Sequence, residues 1–254
     1  MRAREQLHLA ANTPPALAVE PTMDLEQFDL PQYLSVLPLF SDLSAAERAR
    51  IAAGSQIRRL VRGDMVFRMG EPCEAFHVVI LGQVKLFVTS PNGQEKVIEL
   101  VGPGQSFAEA LMFLNRPYIL DGQALSDTLL MSVSKQAVLV EIESDPRFSM
   151  RMLAGISRRL HGLVRDVEAY TLHSGMQRLI GYLLGDTSVG AQVNTGVVTV
   201  SLPVSKATIA SRLSLTPEYF SRVLHELEAE NLIQIDKREI RILDVQRLAS
   251  YGSH

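Results

Sequence analysis

Residues 204–227, VSKATIASRLSLTPEYFSRVLHEL, constrain this chain more than any other stretch. Ser205 is placed to cap a short helix carrying Ile209, Ala210 and Leu213 on one side, and Thr216 followed by Pro217 supplies a cap and a first-turn proline for a second helix. In the second helix Phe220, Val223, Leu224 and Leu227 recur at i, i+3, i+4 and i+7, while Glu218, Ser221, Arg222 and His225 gather on the opposite side. One face suits a core and the other a partner. An acceptor, a hydroxyl and a guanidinium offered from the first turns of a helix can be set against base edges in the major groove of double-stranded DNA. In an isolated amphipathic helix the same residues are more often a solvated face, and the residues that follow decide between the two.

After Leu227 the chain continues EAENLIQIDKREIRIL. Leu232, Ile233 and Ile235 precede a polar turn from Asp236 to Glu239, with Ile240 and Ile242 after it, the pattern of a hairpin wing behind a helix pair. The whole stretch resembles the C-terminal winged helix-turn-helix of the Crp/Fnr family of transcription regulators. The Glu218-x-x-Ser221-Arg222 spacing is similar to the recognition helix of the Fnr branch, which implies TTGAT-type half-sites. Two departures stand out: Ser214 occupies the turn where many such motifs carry glycine, and Pro217 stands where the cAMP-responsive branch has a DNA-contacting arginine.

By chemistry, Arg222 suits a bidentate contact with guanine, Glu218 an acceptor for a cytosine amino group, and Ser221 a neighbouring base. Lys206, Lys237 and Arg238 are better placed for phosphates, where contacts position without reading sequence, and Thr216 is a further candidate DNA-binding residue.

Bulk charge lends this reading no support. The chain has 254 residues and a formal net charge of −3, and from Gly175 onward eight Lys or Arg meet eight Asp or Glu. Binding must rest on how charges are placed. With 46% hydrophobic residues there is material for two cores. Cys73 is the single cysteine, which excludes a disulfide framework and an iron–sulfur cluster within one chain. In the Fnr branch oxygen is sensed through an N-terminal cysteine cluster, and no cysteine precedes Cys73 here. With no apolar run of membrane-spanning length and no secretory signal, the expectation is a cytoplasmic protein without a membrane partner.

Residues 1–27 carry Pro14, Pro15 and Pro21 among alanines without periodicity and are expected to form a mobile tail. Between Leu30 and Ala53 a helical pair is expected, Ser44 and Glu47 forming a capping box and Pro38-Leu39-Phe40 a hydrophobic plug. From Ile57 to Val133 short β-type runs such as Phe76–Leu81, Val84–Thr89 and Lys96–Val101 are broken every eight to twelve residues, with Asn92-Gly93 the strongest hairpin signal. This predicts a small barrel or jelly roll. Its glycine placement resembles the cyclic-nucleotide-binding β-roll of the same family, so the resemblance extends over about residues 30–248.

In nucleotide-binding relatives a Gly-Glu pair meets the ribose and a following arginine–hydroxyl pair holds the cyclic phosphate. Glu109 matches the acid, but Ala108 replaces the glycine, Ile119-Leu120 stands near the arginine position, and Arg116 comes a few residues early. A buried phosphate without a charged donor is costly, so cAMP is not the expected effector. The segment Phe107–Phe113 resembles instead the Dnr branch, heme-dependent regulators that respond to nitric oxide, which implies a heme cofactor. Glu109, Leu111, Met112, Phe113, Ile119 and Leu120 are the candidate effector pocket, although the apolar ones would equally fill the core of the roll. A heme needs an axial ligand, and His77 and His161 are the candidates.

After a short helix at Lys135–Ser144, the residues Leu153, Ile156, Leu160, Leu163, Val167 and Tyr170 step by 3, 4, 3, 4 and 3. Such a heptad seam suits a two-stranded parallel coil, and it resembles the family's dimerisation helix. A homodimer would set two recognition helices about 34 Å apart and so require an inverted-repeat operator. RNA polymerase is a further partner if the regulator activates. The chain is therefore read as α+β: a tail at 1–27, a β-roll sensor at 28–144, a dimerisation helix and hinge (His173-Ser174-Gly175) at 145–173, and a winged helix-turn-helix at 174–254. Two alternatives stay open, a cyclic-nucleotide-responsive regulator and a cupin-like metalloenzyme, the second lacking a second histidine at ligand spacing from His77.

Overall fold

Short local signals start most of the helices. In the computed structural model, which describes residues 28–186, 198–202 and 204–251, Asp29 caps α1 (Leu30–Leu34) and Ser44 caps α2 (Ala45–Ala53). The expected capping box is formed: Ser44 N donates to Glu47 Oε2 at 2.6 Å, and Glu47 N donates back to Ser44 Oγ at 3.3 Å. Phe40 is fully buried between the rings of Phe76 and Phe148, as the plug expected there. The tail expected at 1–27 lies outside the described residues.

The β-roll consists of β1 (Ser55–Leu60), β2 (Met65–Phe67), β3 (Ala75–Leu81), β4 (Val84–Thr89), β5 (Glu95–Val101), β6 (Ser106–Phe107), the short helix α3 (Glu109–Leu114), β7 (Asp121–Ala124) and β8 (Thr128–Ser134). The strands form two antiparallel four-stranded sheets, in the orders β1-β8-β3-β6 and β2-β7-β4-β5. Gly93, at φ 81°, closes the β4–β5 hairpin, and Ser90 N donates to Gln94 O at 2.9 Å. Phe76, Val79, Val84, Phe107, Leu130 and Met131 fill the interior.

Two helices follow, α4 (Lys135–Ser144), capped by Ser134, and α5 (Pro146–Leu172). The chain divides between Gly162 and Leu163 into two units, a boundary that falls inside α5. The physical reason is that the two ends of α5 bond differently. Phe148, Met152 and Arg159 engage the roll, whereas Asp166 and Tyr170 bond to the C-terminal unit.

In the second unit α6 (Gly175–Asp186) is followed by β9 (Val198–Ser201), α7 (Lys206–Arg212), α8 (Pro217–Ala229), β10 (Ile233–Asp236), β11 (Glu239–Ile242) and α9 (Val245–Tyr251). The wing is a three-stranded antiparallel sheet ordered β10-β11-β9. Among the described residues no helix is long and apolar enough to cross a membrane.

Candidate nucleic-acid interface and sensor site

The helix pair is held by caps and a buried stripe. Ser205 Oγ accepts from Thr208 N at 3.1 Å to open α7, and Thr216 Oγ1 accepts from Tyr219 N at 3.2 Å to open α8, with Pro217 in the first turn. Ser214 adopts φ 56° in the turn, the left-handed conformation for which related motifs use glycine. Phe220, Val223, Leu224 and Leu227 are all buried, so the opposite face of α8 points to solvent. On that face Glu218 and Arg222 are exposed and Ser221 is half-buried. The Arg222 guanidinium lies 4.9 Å from the centre of the Tyr219 ring. Lys237, at φ 53°, and Arg238 are exposed at the tip of the wing, and Lys206 is half-buried at the start of α7. Thr216, a candidate DNA-binding residue, accepts from Tyr219 N as the cap of α8.

Polar contacts absent from the sequence reading anchor the turn between the two helices. Tyr170 donates to Arg212 O at 2.6 Å, and Arg178 Nη1 donates to Leu213 O at 2.8 Å. These are carbonyls that the end of α7 leaves without intrahelical partners. The Arg212 side chain turns back to the Tyr170 hydroxyl and pairs with Asp166 at 2.5 Å. Tyr170 is therefore half-buried and bonded within its own chain. The remainder of the seam is largely open: Leu153, Leu160, Leu163 and Val167 are exposed and Ile156 is half-buried. Met150 and Val164 widen the same apolar surface.

In the roll, Ala108 takes φ 74° immediately before Glu109, which is buried at the start of α3. The cation facing Glu109 is Arg159 of α5, not Arg116, which is exposed. Arg159 Nη1 stands 3.6 Å from Glu109 Oε2 and donates to Ser106 O at 2.8 Å, and Nη2 pairs with Glu99. Met112 is fully buried in the core of the roll, with Leu111, Phe113 and Leu120 packed against that core. Ile119 is 59% exposed, so it stands outside the lining expected of it, because the chain there runs over the surface before β7.

His77 does point inward. It is buried, with Nδ1 2.8 Å from Ser132 Oγ, Nε2 2.9 Å from the Tyr118 hydroxyl, and the rings of Phe67 and Phe107 beside it. Burial first, and the positive charge of Arg58 second, push its pKa down to about 3. Burial also raises the Tyr118 hydroxyl and the Cys73 thiol above their usual ranges. Both imidazole nitrogens of His77 are engaged, and His161 is exposed on α5.

Residues 57–145 match the cyclic nucleotide-binding domain, and residues 177–251 match the Crp-like helix-turn-helix domain. A probable transcriptional regulator, flp, of Lacticaseibacillus casei is 27% identical over 221 residues, spanning 86% of this chain and 97% of that protein. A solved structure from Ruegeria pomeroyi DSS-3, named for cyclic nucleotide binding, is 30% identical at a TM-score of 0.58, covering 85% of this chain and 93% of that one. DNR from Pseudomonas aeruginosa is 36% identical over 87% of this chain and 96% of its own, but at a TM-score of 0.46 the superposition is too loose to assign a branch. These relatives and domains are regulators, which sets aside the cupin-like enzyme. A roll of the cyclic-nucleotide-binding type followed by a helix pair with a solvent-facing Glu218-x-x-Ser221-Arg222 surface is a regulator's arrangement, and this chain belongs to the Crp/Fnr family of DNA-binding transcription regulators.

Proposed function

We propose that two copies of this chain bind an inverted-repeat operator with TTGAT-type half-sites, and that an effector held by the β-roll governs this binding. The observation that carries the reading is the split of α8 into a buried face, Phe220 to Leu227, and an open face bearing Glu218, Ser221 and Arg222. Arg222 would take guanine by its edge donors, Glu218 a cytosine amino group, and Ser221 the base between or beside them. Lys206, Lys237 and Arg238 would lie on phosphates. The open apolar surface of α5 supports pairing of two chains, since Leu153, Leu160, Leu163 and Val167 recur at heptad spacing and are exposed.

The test is a titration of the full-length protein on a TTGAT inverted repeat and on random duplex at one fixed salt concentration. Replacing Arg222 by Ala is expected to cost about 1–3 kcal/mol on the operator and to abolish preference at one base pair per half-site. Equal losses on both duplexes would remove Arg222 from base reading.

For the effector, nitric oxide carried on heme is the reading implied by the Dnr-like segment. It requires His77 to give up Ser132 or Tyr118. A Soret band on adding hemin that is lost in His77→Ala supports it, and no spectral change removes it. The cyclic-nucleotide alternative draws on the matched domain at 57–145. Calorimetry with cAMP decides it, micromolar binding being the outcome that would favour it.

A further inference from the structure

Tyr219 sits between two residues with separate roles. On one side is Gly175, the first residue of α6 after the His173-Ser174 break: a Cβ placed on it would stand 2.5 Å from Tyr219 Cε1 and 3.1 Å from Tyr219 Cζ. The backbone of α6 therefore begins in direct contact with the ring, and only glycine allows the approach. On the other side the Arg222 guanidinium lies 4.9 Å from the ring centre, inside the roughly 6 Å range of a cation–π contact. Tyr219 is itself fixed at the third position of α8, where its N–H donates to the Thr216 cap.

We propose that Tyr219 is a positioning residue for operator reading: its ring holds Arg222 in the orientation that meets guanine and couples that orientation to Gly175 at the hinge. An arginine free in solution must freeze several rotatable bonds to make a bidentate contact. One already resting on a ring has lost part of that freedom before DNA arrives. A ring that meets the π face of the guanidinium leaves its N–H edge for the base. A shift at the start of α6 moves the ring, and the ring moves the guanidinium. Reorientation at the hinge would therefore change discrimination between bases more than overall grip on the duplex, which comes from phosphate contacts.

This inference rests on the proposed DNA reading, so the operator used to test it is chosen by the protein: the sequence that full-length wild type enriches from random duplexes. The readout is the ratio of affinities, by fluorescence anisotropy, for that operator and for a copy with the contacted guanine of each half-site replaced. Tyr219→Phe keeps the ring and is expected to keep the ratio. Tyr219→Leu is expected to lower the ratio about two- to fivefold, the span of an exposed cation–π contact, with affinity for random duplex unchanged. Gly175→Ala is expected to lower the ratio when Tyr219 is present and to have little further effect beside Tyr219→Leu. An unchanged ratio in Tyr219→Leu, or equal losses on operator and random duplex, overturns the proposal. Enrichment of no sequence overturns the DNA reading itself and this inference with it. One measurement needs no variant at position 219 to fold: the Arg222 Nε–H resonance of wild type, assigned by its loss in Arg222→Lys, must carry an aromatic ring-current shift, and a resonance at its unstructured position overturns the proposal.

Discussion

The Tyr170 hydroxyl donates to the backbone carbonyl of Arg212 at 2.6 Å, tying the last turn of α5 to the end of α7. Arg212 answers through its side chain, bonding the same hydroxyl and pairing with Asp166. Tyr170→Phe keeps the ring beside Arg178 but leaves a terminal carbonyl of α7 without this donor, at an expected cost of about 1 kcal/mol in unfolding stability. Because the removed bond orients the turn between α7 and α8, operator affinity should fall by more than the loss of folded protein explains. Urea unfolding and operator titration on one preparation separate the two effects, and affinity unchanged after correction for folded fraction would make Tyr170 structural only.

Arg159 carries the corresponding role at the other end of α5. Its guanidinium serves Glu99, Glu109 and the carbonyl of Ser106, so Arg159→Leu leaves the buried Glu109 carboxylate without this cation. Loss of one partner of a fully buried pair costs about 3–5 kcal/mol, and with Arg159 itself a quarter exposed about 2 kcal/mol is expected here. Adding Glu109→Gln to Arg159→Leu should recover part of that loss, because the uncompensated charge is then gone. Thermal unfolding of the two single variants and the double variant gives the coupling, and strictly additive losses would show that the contact carries no energy.

Ala108 holds φ 74° with no side-chain cap at the start of α3. An L-residue there costs about 1–2 kcal/mol relative to its preferred backbone, offset by about 0.4–1 kcal/mol of added freedom that glycine gives the unfolded chain. Ala108→Gly should therefore stabilise the protein, by about 0.5 kcal/mol on these figures. Chemical unfolding is the measurement, and a destabilised variant would mean that the Ala108 methyl contributes packing worth more than its strain.

What could be read from the sequence and what could not divides by distance along the chain. The Ser44 and Thr216 caps, the Asn92-Gly93 hairpin, the stripe on α8 and the heptad on α5 are patterns completed within a few residues, and each was recoverable. Arg159 and Glu109 are 50 residues apart, and nothing near either one names the other. α3 has neither a capping side chain nor the length for periodicity to show. Tyr170 fits the heptad by spacing, yet spacing says nothing of where its hydroxyl goes. His77 lies within a buried run of β3, but its partners come from strand register, Ser132 lying directly across from it on β8, and from Tyr118 in a loop.

The exposed stripe of α5 supports a prediction about assembly. Leu160 is 61% exposed at the middle of the seam, so Leu160→Glu costs the single chain little while setting two carboxylates against each other in a parallel pair. Sedimentation should show twice the chain mass for wild type and the single mass for the variant at the same concentration. Operator affinity should fall with it, since each half-site is then met alone. A variant that still sediments as a pair would place the contact between chains elsewhere.

His77 gives the protein an acid limit. In the unfolded chain the imidazole takes a proton at its ordinary pKa of 6.5, whereas burial and Arg58 hold it neutral in the fold until about pH 3. Between those values the unfolded state binds more protons, so stability is complete above about pH 6.5 and declines as pH falls toward 3. From pH 7 to pH 5 this one group should remove about 2 kcal/mol. His77→Gln presents an uncharged amide to Ser132 and Tyr118 and has no such proton to take up. Its urea midpoint should therefore shift less than that of wild type over the same interval, whatever its stability at pH 7. Identical pH slopes in the two proteins would assign the acid sensitivity to other groups and leave His77 as packing alone.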